Sequence, residues 1–67
     1  MTLREFLNTN QNDWASVRIY QSQEDWDSMI TDPELIYTDM RQIPSLLLKL
    51  RIDAWAVDAN FVIHVLI

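Results

Sequence analysis

Leu3, Phe6 and Leu7 recur at helical spacing at the start of the chain, which places three apolar side chains on one face of a short helix. Thr2 and Glu5 fit a capping box around it: the Thr2 hydroxyl can accept the Glu5 N–H while the Glu5 carboxylate reaches back. The polar run 8–13 ends this helix and makes a loop. Residues 14–21 then change period. Val17 and Ile19 alternate with Arg18 and Tyr20, the pattern of a strand with one covered face. Residues 22–25 resemble another helix start, and Trp26, Met29 and Ile30 fall at helical spacing, so one or two helical turns interrupt the path. Asp32-Pro33 marks a break. Residues 35–38 (Leu-Ile-Tyr-Thr) carry strand-forming side chains, and a strand is the preferred reading over a helix that runs on from Asp32 with Pro33 at its first position.

Pro44 opens a second helix over 44–50, since proline is tolerated in a first turn, and Leu46, Leu47, Leu48 and Leu50 give it a broad apolar surface. Residues 52–57 and 61–67 are apolar, β-branched-rich runs separated by Asp58-Ala59-Asn60. That spacing predicts a hairpin, with Asn60 taking the left-handed conformation. The sum is a single α+β domain over 1–67: a small antiparallel sheet packed by two short helices on one face, in the order α-β-β-α-β-β. Ala54 and Ala56 let the second helix approach the sheet closely, which leaves Trp55 on the open face. In the last strand Phe61, Ile63, Val65 and Ile67 point one way, and Val62, His64 and Leu66 point the other. With both faces apolar, this strand is expected to be central, covered on both sides, or part of an interface. At an exposed edge it would pair with another chain, so a homodimer is one expectation.

Composition narrows the function classes. At 67 residues the chain has room for one domain of modest burial. It contains no cysteine, which removes disulfides and thiolate metal sites together. It contains no glycine either, so a glycine-rich phosphate loop is excluded. A formal net charge of −5 opposes direct nucleic-acid binding and favours basic protein surfaces. The longest apolar run falls far short of the roughly 20 residues that cross a bilayer, and no basic start leads into an apolar stretch. The expectation is a cytoplasmic protein without membrane contact.

Catalysis is not expected. His64 is the one histidine, embedded in an apolar strand where a structural role is the common one, and a catalytic role needs a carboxylate or nucleophile beside it. No second histidine supports a metal, and Glu24, Asp25 and Asp27 lack the spacing and glycine turn of a calcium loop. No cofactor is expected.

The stretch 24–39 stands out instead. It holds Glu24, Asp25, Asp27, Asp32, Glu34 and Asp39 with no lysine or arginine among them, and Trp26 and Tyr37 lie within it. Asp13 extends the set if the fold brings it near. Carboxylates spaced along a surface imitate the phosphate track of DNA, and tryptophan and tyrosine are common interface anchors. The plainer reading is a solvated face that keeps the protein soluble, with Trp26 in the core.

One resemblance bears on context. Thr-Leu-Arg-Glu-Phe-Leu at 2–7, Val-Arg-Ile-Tyr at 17–20, Ile43-Pro44 with Leu47 and Leu48, and Ile52-Asp53-Ala54-Trp55 leading to Phe61-Val62-Ile63 resemble short, acidic, uncharacterised proteins of phages and integrative mobile elements of Gram-positive bacteria. The similarity spans most of the chain but rests on apolar, structural motifs, and residues 21–33 are longer than the tight turn of that group. It implies a mobile-element setting, in which small acidic proteins include anti-CRISPR and DNA-mimicking antirestriction inhibitors. The group has no defined site to transfer.

Two expectations follow. The first is a module that docks Glu24, Asp25, Trp26, Asp27, Asp32, Glu34, Tyr37 and Asp39 onto a basic surface of another protein, such as a host-defence nuclease. The second is a structural or accessory protein that homodimerises through its C-terminal hairpin.

Overall fold

The computed structural model of the chain describes residues 1–10 and 14–67. In chain order the elements are α1 (Leu3–Asn10), β1 (Ser16–Tyr20), α2 (Gln23–Ser28), a 3-10 turn (Pro33–Leu35), β2 (Ile36–Tyr37), a second 3-10 turn (Met40–Gln42), α3 (Ser45–Leu48), β3 (Ala54–Val57) and β4 (Val62–Leu66). This is the expected α+β class. The capping box at the start of α1 forms: Thr2 N–H donates to Glu5 Oε1 at 3.0 Å, and Glu5 N–H donates to Thr2 Oγ1 at 3.3 Å. The helix runs through Asn8 and Thr9 to Asn10 instead of stopping at the polar run, and the Thr9 hydroxyl donates to the Glu5 carbonyl at 3.0 Å within it. Ser22 caps α2. The two readings of 32–38 divide the segment between them: Asp32 caps a 3-10 turn that begins with Pro33, and a two-residue strand follows.

The strands lie in the order β2-β1-β4-β3. β2 pairs antiparallel with β1, and β3 antiparallel with β4. The two central strands are parallel, with Ser16, Val17, Arg18, Ile19 and Tyr20 beside Val62, Ile63, His64, Val65 and Leu66 in turn. The expected all-antiparallel sheet is therefore mixed. Alternation along a strand sets which side chains share a face but carries no information on strand direction. The long chain between β1 and β4 allows the crossover that parallel strands need. β4 is central, one of the placements its two apolar faces allow.

Two layers form on this sheet. Leu3, Phe6 and Leu7 of α1, Ile43 after the second 3-10 turn and Leu48 of α3 pack with Val17, Ile19, Ile63 and Val65 in one core. The opposite face carries Tyr20, His64 and Leu66, all buried. There the ring of Trp26 meets Tyr20 edge-on at 5.4 Å, so α2 lies on this side. The helices thus occupy both faces rather than one. Trp55 is likewise not where the alanines suggested: it pairs with Val65 and its ring lies 5.2 Å from that of Phe6, on the α1 face, while Ala54 and Ala56 sit opposite Leu66 and His64. Small residues at a sheet edge permit close approach but do not attract a helix; the apolar stripe of α1 follows the larger area of Trp55 and Val65.

The hairpin turn also departs from expectation. Phe61 N–H donates to the Asp58 carbonyl at 3.1 Å, and the positive φ falls on Phe61, at 61°, rather than on Asn60. Met29, at the end of α2, is the other residue of this kind, with φ 54°. The left-handed region disfavours residues with a Cβ by roughly 1–2 kcal/mol. Phe61→Gly and Met29→Gly are each expected to raise unfolding free energy by about 1 kcal/mol in urea titrations, after the added freedom of glycine in the unfolded chain. A fall in stability in either variant would mean that its side chain packs too well to lose.

Candidate functional site

The acidic stretch divides once folded. Glu24, Asp25 and Asp27 stay together on α2, exposed, and none of the three has an ion-pair partner among the described residues. Asp25 N–H donates to Ser22 Oγ, and Asp27 accepts from the Gln23 amide at 2.9 Å. Asp32 and Asp39 serve the backbone instead: Asp32 accepts from Glu34 N–H and Asp39 from Arg41 N–H, each at 2.9 Å. Asp39 also holds the Arg41 guanidinium at 2.8 Å, and these hydrogen bonds pull its carboxyl down to about 2. Glu34 is exposed on the turn between them. The two aromatic residues part company. Trp26 is half-buried against Tyr20 on one face of the sheet, whereas Tyr37 pairs with Val17 and packs against the core of the other. Asp13 lies outside the described residues.

A polar chain that the sequence did not suggest runs through the sheet. Tyr20 Oη lies 2.8 Å from His64 Nδ1, and His64 Nε2 lies 3.0 Å from Asp58 Oδ2. An ionised carboxylate only accepts, so Nε2 carries the hydrogen toward Asp58, and in the neutral imidazole Nδ1 accepts from the Tyr20 hydroxyl. Asp58 Oδ1 accepts in addition from Asn60 N–H at 2.8 Å and Val62 N–H at 3.2 Å. The His64 hydrogen bond first, and these two amides after it, hold the Asp58 carboxyl below its usual range. One carboxylate thereby closes the hairpin and orients the buried histidine, whose ring stacks on Tyr20 at 5.8 Å. Asp58 two residues before Asn60 was a legible turn signal. Its reach to a histidine six positions on, and the parallel pairing that sets β1 beside it, were not. An open cleft of about 330 Å³ lies elsewhere, lined by Trp14, Thr38, Asp39, Met40 and Arg41.

The outer side of β3 is the remaining feature. Residues 50–52 are covered by the N-terminus, through Leu3 N–H to the Leu50 carbonyl at 2.8 Å and Ile52 N–H to the Met1 carbonyl at 3.2 Å. Beyond them the edge is open. Asp58 N–H turns inward to Val62 at 3.1 Å, so by antiparallel alternation Ala56 and Ala54 also face β4, and Trp55 and Val57 direct their N–H and C=O groups outward. Trp55 is 57% and Val57 45% exposed, and Phe61 at the hairpin tip is 62% exposed. No lysine or proline lies in residues 54–57, although exposed edges commonly carry such protection; Asp53 and Ala54 both stand against Leu66 where the strand begins, Asp53 N–H donating to the Leu66 carbonyl at 2.7 Å. Asp53 and Asp58 bracket them, both exposed. Among the described residues no group of histidine and carboxylates is arranged to hold a metal ion, and no helix is long and apolar enough to cross a membrane.

Removing the Tyr20 hydroxyl leaves His64 Nδ1 buried without its donor, so Tyr20→Phe is expected to lower stability by about 1–3 kcal/mol in urea titrations. An aspartate with a depressed folded value contributes stability that is complete above its ordinary value near 3.8 and is lost as the pH falls through the lower folded value. Asp58→Asn is therefore expected to be less stable than the parent near neutral pH and to lose less on acidification below pH 4. Parallel acid limbs for the two proteins, read by circular dichroism, would remove Asp58 from that role. No protein-family model matches the chain, and neither a curated protein nor a solved structure matches it.

Proposed function

We propose that this chain is a protein-binding module that receives an extended, basic segment of a partner along the open edge of β3. The observation that carries this reading is the combination of outward backbone groups with exposed Trp55 and Val57 at an unguarded edge. Strand addition draws affinity from main-chain hydrogen bonds and specificity from alternate side chains. Charge selects the kind of segment. Asp53 and Asp58 flank the strand and the whole chain carries −5, so lysine or arginine at the ends of an incoming strand meets carboxylates. A second copy meets its own like charges instead. Each copy would bring a net charge of −5 to that seam, and a net charge far from zero opposes self-association.

A second reading rests on α2, whose Glu24, Asp25 and Asp27 are exposed without cationic partners among the described residues. Here the helix presents carboxylates to the basic groove of a nucleic-acid-binding protein, with inhibition of a host-defence nuclease as the sharpest form.

Short peptides of alternating valine and threonine, ended by lysine pairs or by glutamate pairs, test the first reading by isothermal titration calorimetry. The lysine-ended peptide is expected to bind at least about tenfold more tightly, a difference of roughly 1.4 kcal/mol. The gap should shrink in 1 M salt, where screening acts within about 3 Å. Val57→Lys should abolish binding, and Glu24→Gln/Asp25→Asn/Asp27→Asn should leave it unchanged. Loss of binding in the triple variant alone would favour the α2 surface. A dimer in sedimentation that Val57→Lys dissolves would assign the edge to a second copy and overturn the proposal.

A further inference from the structure

Phe61 stands in the left-handed region with φ 61°, and more than half of its surface is open to solvent. The ring therefore recovers little of the conformational penalty through burial. The preceding residue is asparagine, the side chain other than glycine that best tolerates this conformation. Shifting Asn60 by one position would relieve the turn. Instead the turn is held from outside: Asp58 takes the N–H groups on either side of Phe61, those of Asn60 and Val62, and is itself fixed by His64. The Phe61 carbonyl accepts from Ala15 N–H at 2.8 Å, which ties the tip to the approach of β1. A strained residue persists where the surroundings over-determine it, and such positions gather at binding sites. Phe61 leads into β4 at the hairpin tip, one strand spacing of about 4.8 Å from β3 and two residues before Ile63, the partner of Val57.

We infer that Phe61 is the specificity-determining anchor of the β3 edge, a rigidly held aromatic that packs on an apolar side chain of the docked segment where that segment passes the hairpin tip. This rests on the edge-docking reading and adds a sequence requirement to it: a basic segment with a large aliphatic residue just beyond the paired stretch. Pre-forming the aromatic in its bound position removes the ordering penalty at the moment of contact. The strain is then a stability sacrificed for function. Met29 supplies the internal comparison. It has the same backbone conformation and is also exposed, but its N–H closes the end of α2 onto the Asp25 and Trp26 carbonyls.

The test is a coupling measurement with lysine-ended valine–threonine peptides carrying leucine, or alanine in its place, at one end or the other. The parent protein is expected to bind one of the two leucine peptides about tenfold more tightly than its alanine counterpart. Phe61→Gly and Phe61→Asn should melt higher than the parent, bind both members of the pair alike, and retain the lysine-over-glutamate preference. Met29→Gly should melt higher with the leucine preference intact. If the Phe61 variants keep the leucine preference, or if they melt lower than the parent, the anchor role is overturned while edge docking stands. If the parent binds none of the peptides, edge docking itself fails and takes the anchor with it.

Discussion

The parallel pairing of β1 with β4 is the contact on which the rest of this molecule depends. It joins residues that are distant in the chain, and it sets two side-chain layers at once. Val17 and Ile19 fall beside Ile63 and Val65 under α1 and α3, while Arg18 and Tyr20 fall beside His64 and Leu66 on the other side. A chain this short buries a limited fraction of its surface, and without a disulfide its margin comes from filling both faces of one central strand. That is why α2 lies against Tyr20 rather than beside α1 and α3. It is also why the outer strands can remain short and, at β3, uncovered.

The chain from Tyr20 through His64 to Asp58 is the polar counterpart of that packing. A histidine in the second layer needs partners for both ring nitrogens, because an unsatisfied buried polar group is more harmful than its hydrogen bonds are helpful. Tyr20 supplies one partner from the neighbouring strand and Asp58 the other from the hairpin turn. The turn is consequently tied to the sheet centre, and this fixes a hairpin whose own sequence lacks the glycine that its left-handed residue favours. The open edge of β3 and the exposed ring at its tip are thus mounted on a rigid support. A docking surface gains from this, since ordering on contact opposes association.

Much of the local structure could be read from residue order. The capping box of α1, the Ser22 cap of α2, the strand periodicity of 17–20 and 62–66, and the centrality of the last strand all followed from short-range chemistry. The candidate site was far less legible. Acidic residues that look like one set in the chain became turn caps at Asp32 and Asp39 and a free cluster at α2, because a carboxylate near an unpaired backbone N–H is captured locally. Trp26 and Tyr37, neighbours in that set, went to opposite faces, since the segment bearing them passes around the β2 edge of the sheet.

By itself the sequence determined α1, the strands β1, β3 and β4, the α+β class and the two-faced character of β4, for these are set by spacing, capping and period within a few residues. Tertiary structure alone decided that β1 and β4 run parallel, that Trp55 faces α1, and that Tyr20 reaches His64. Each of these is a choice between alternatives of similar local energy. The choice is made by which distant surfaces bury the most apolar area and which buried polar atoms then find partners.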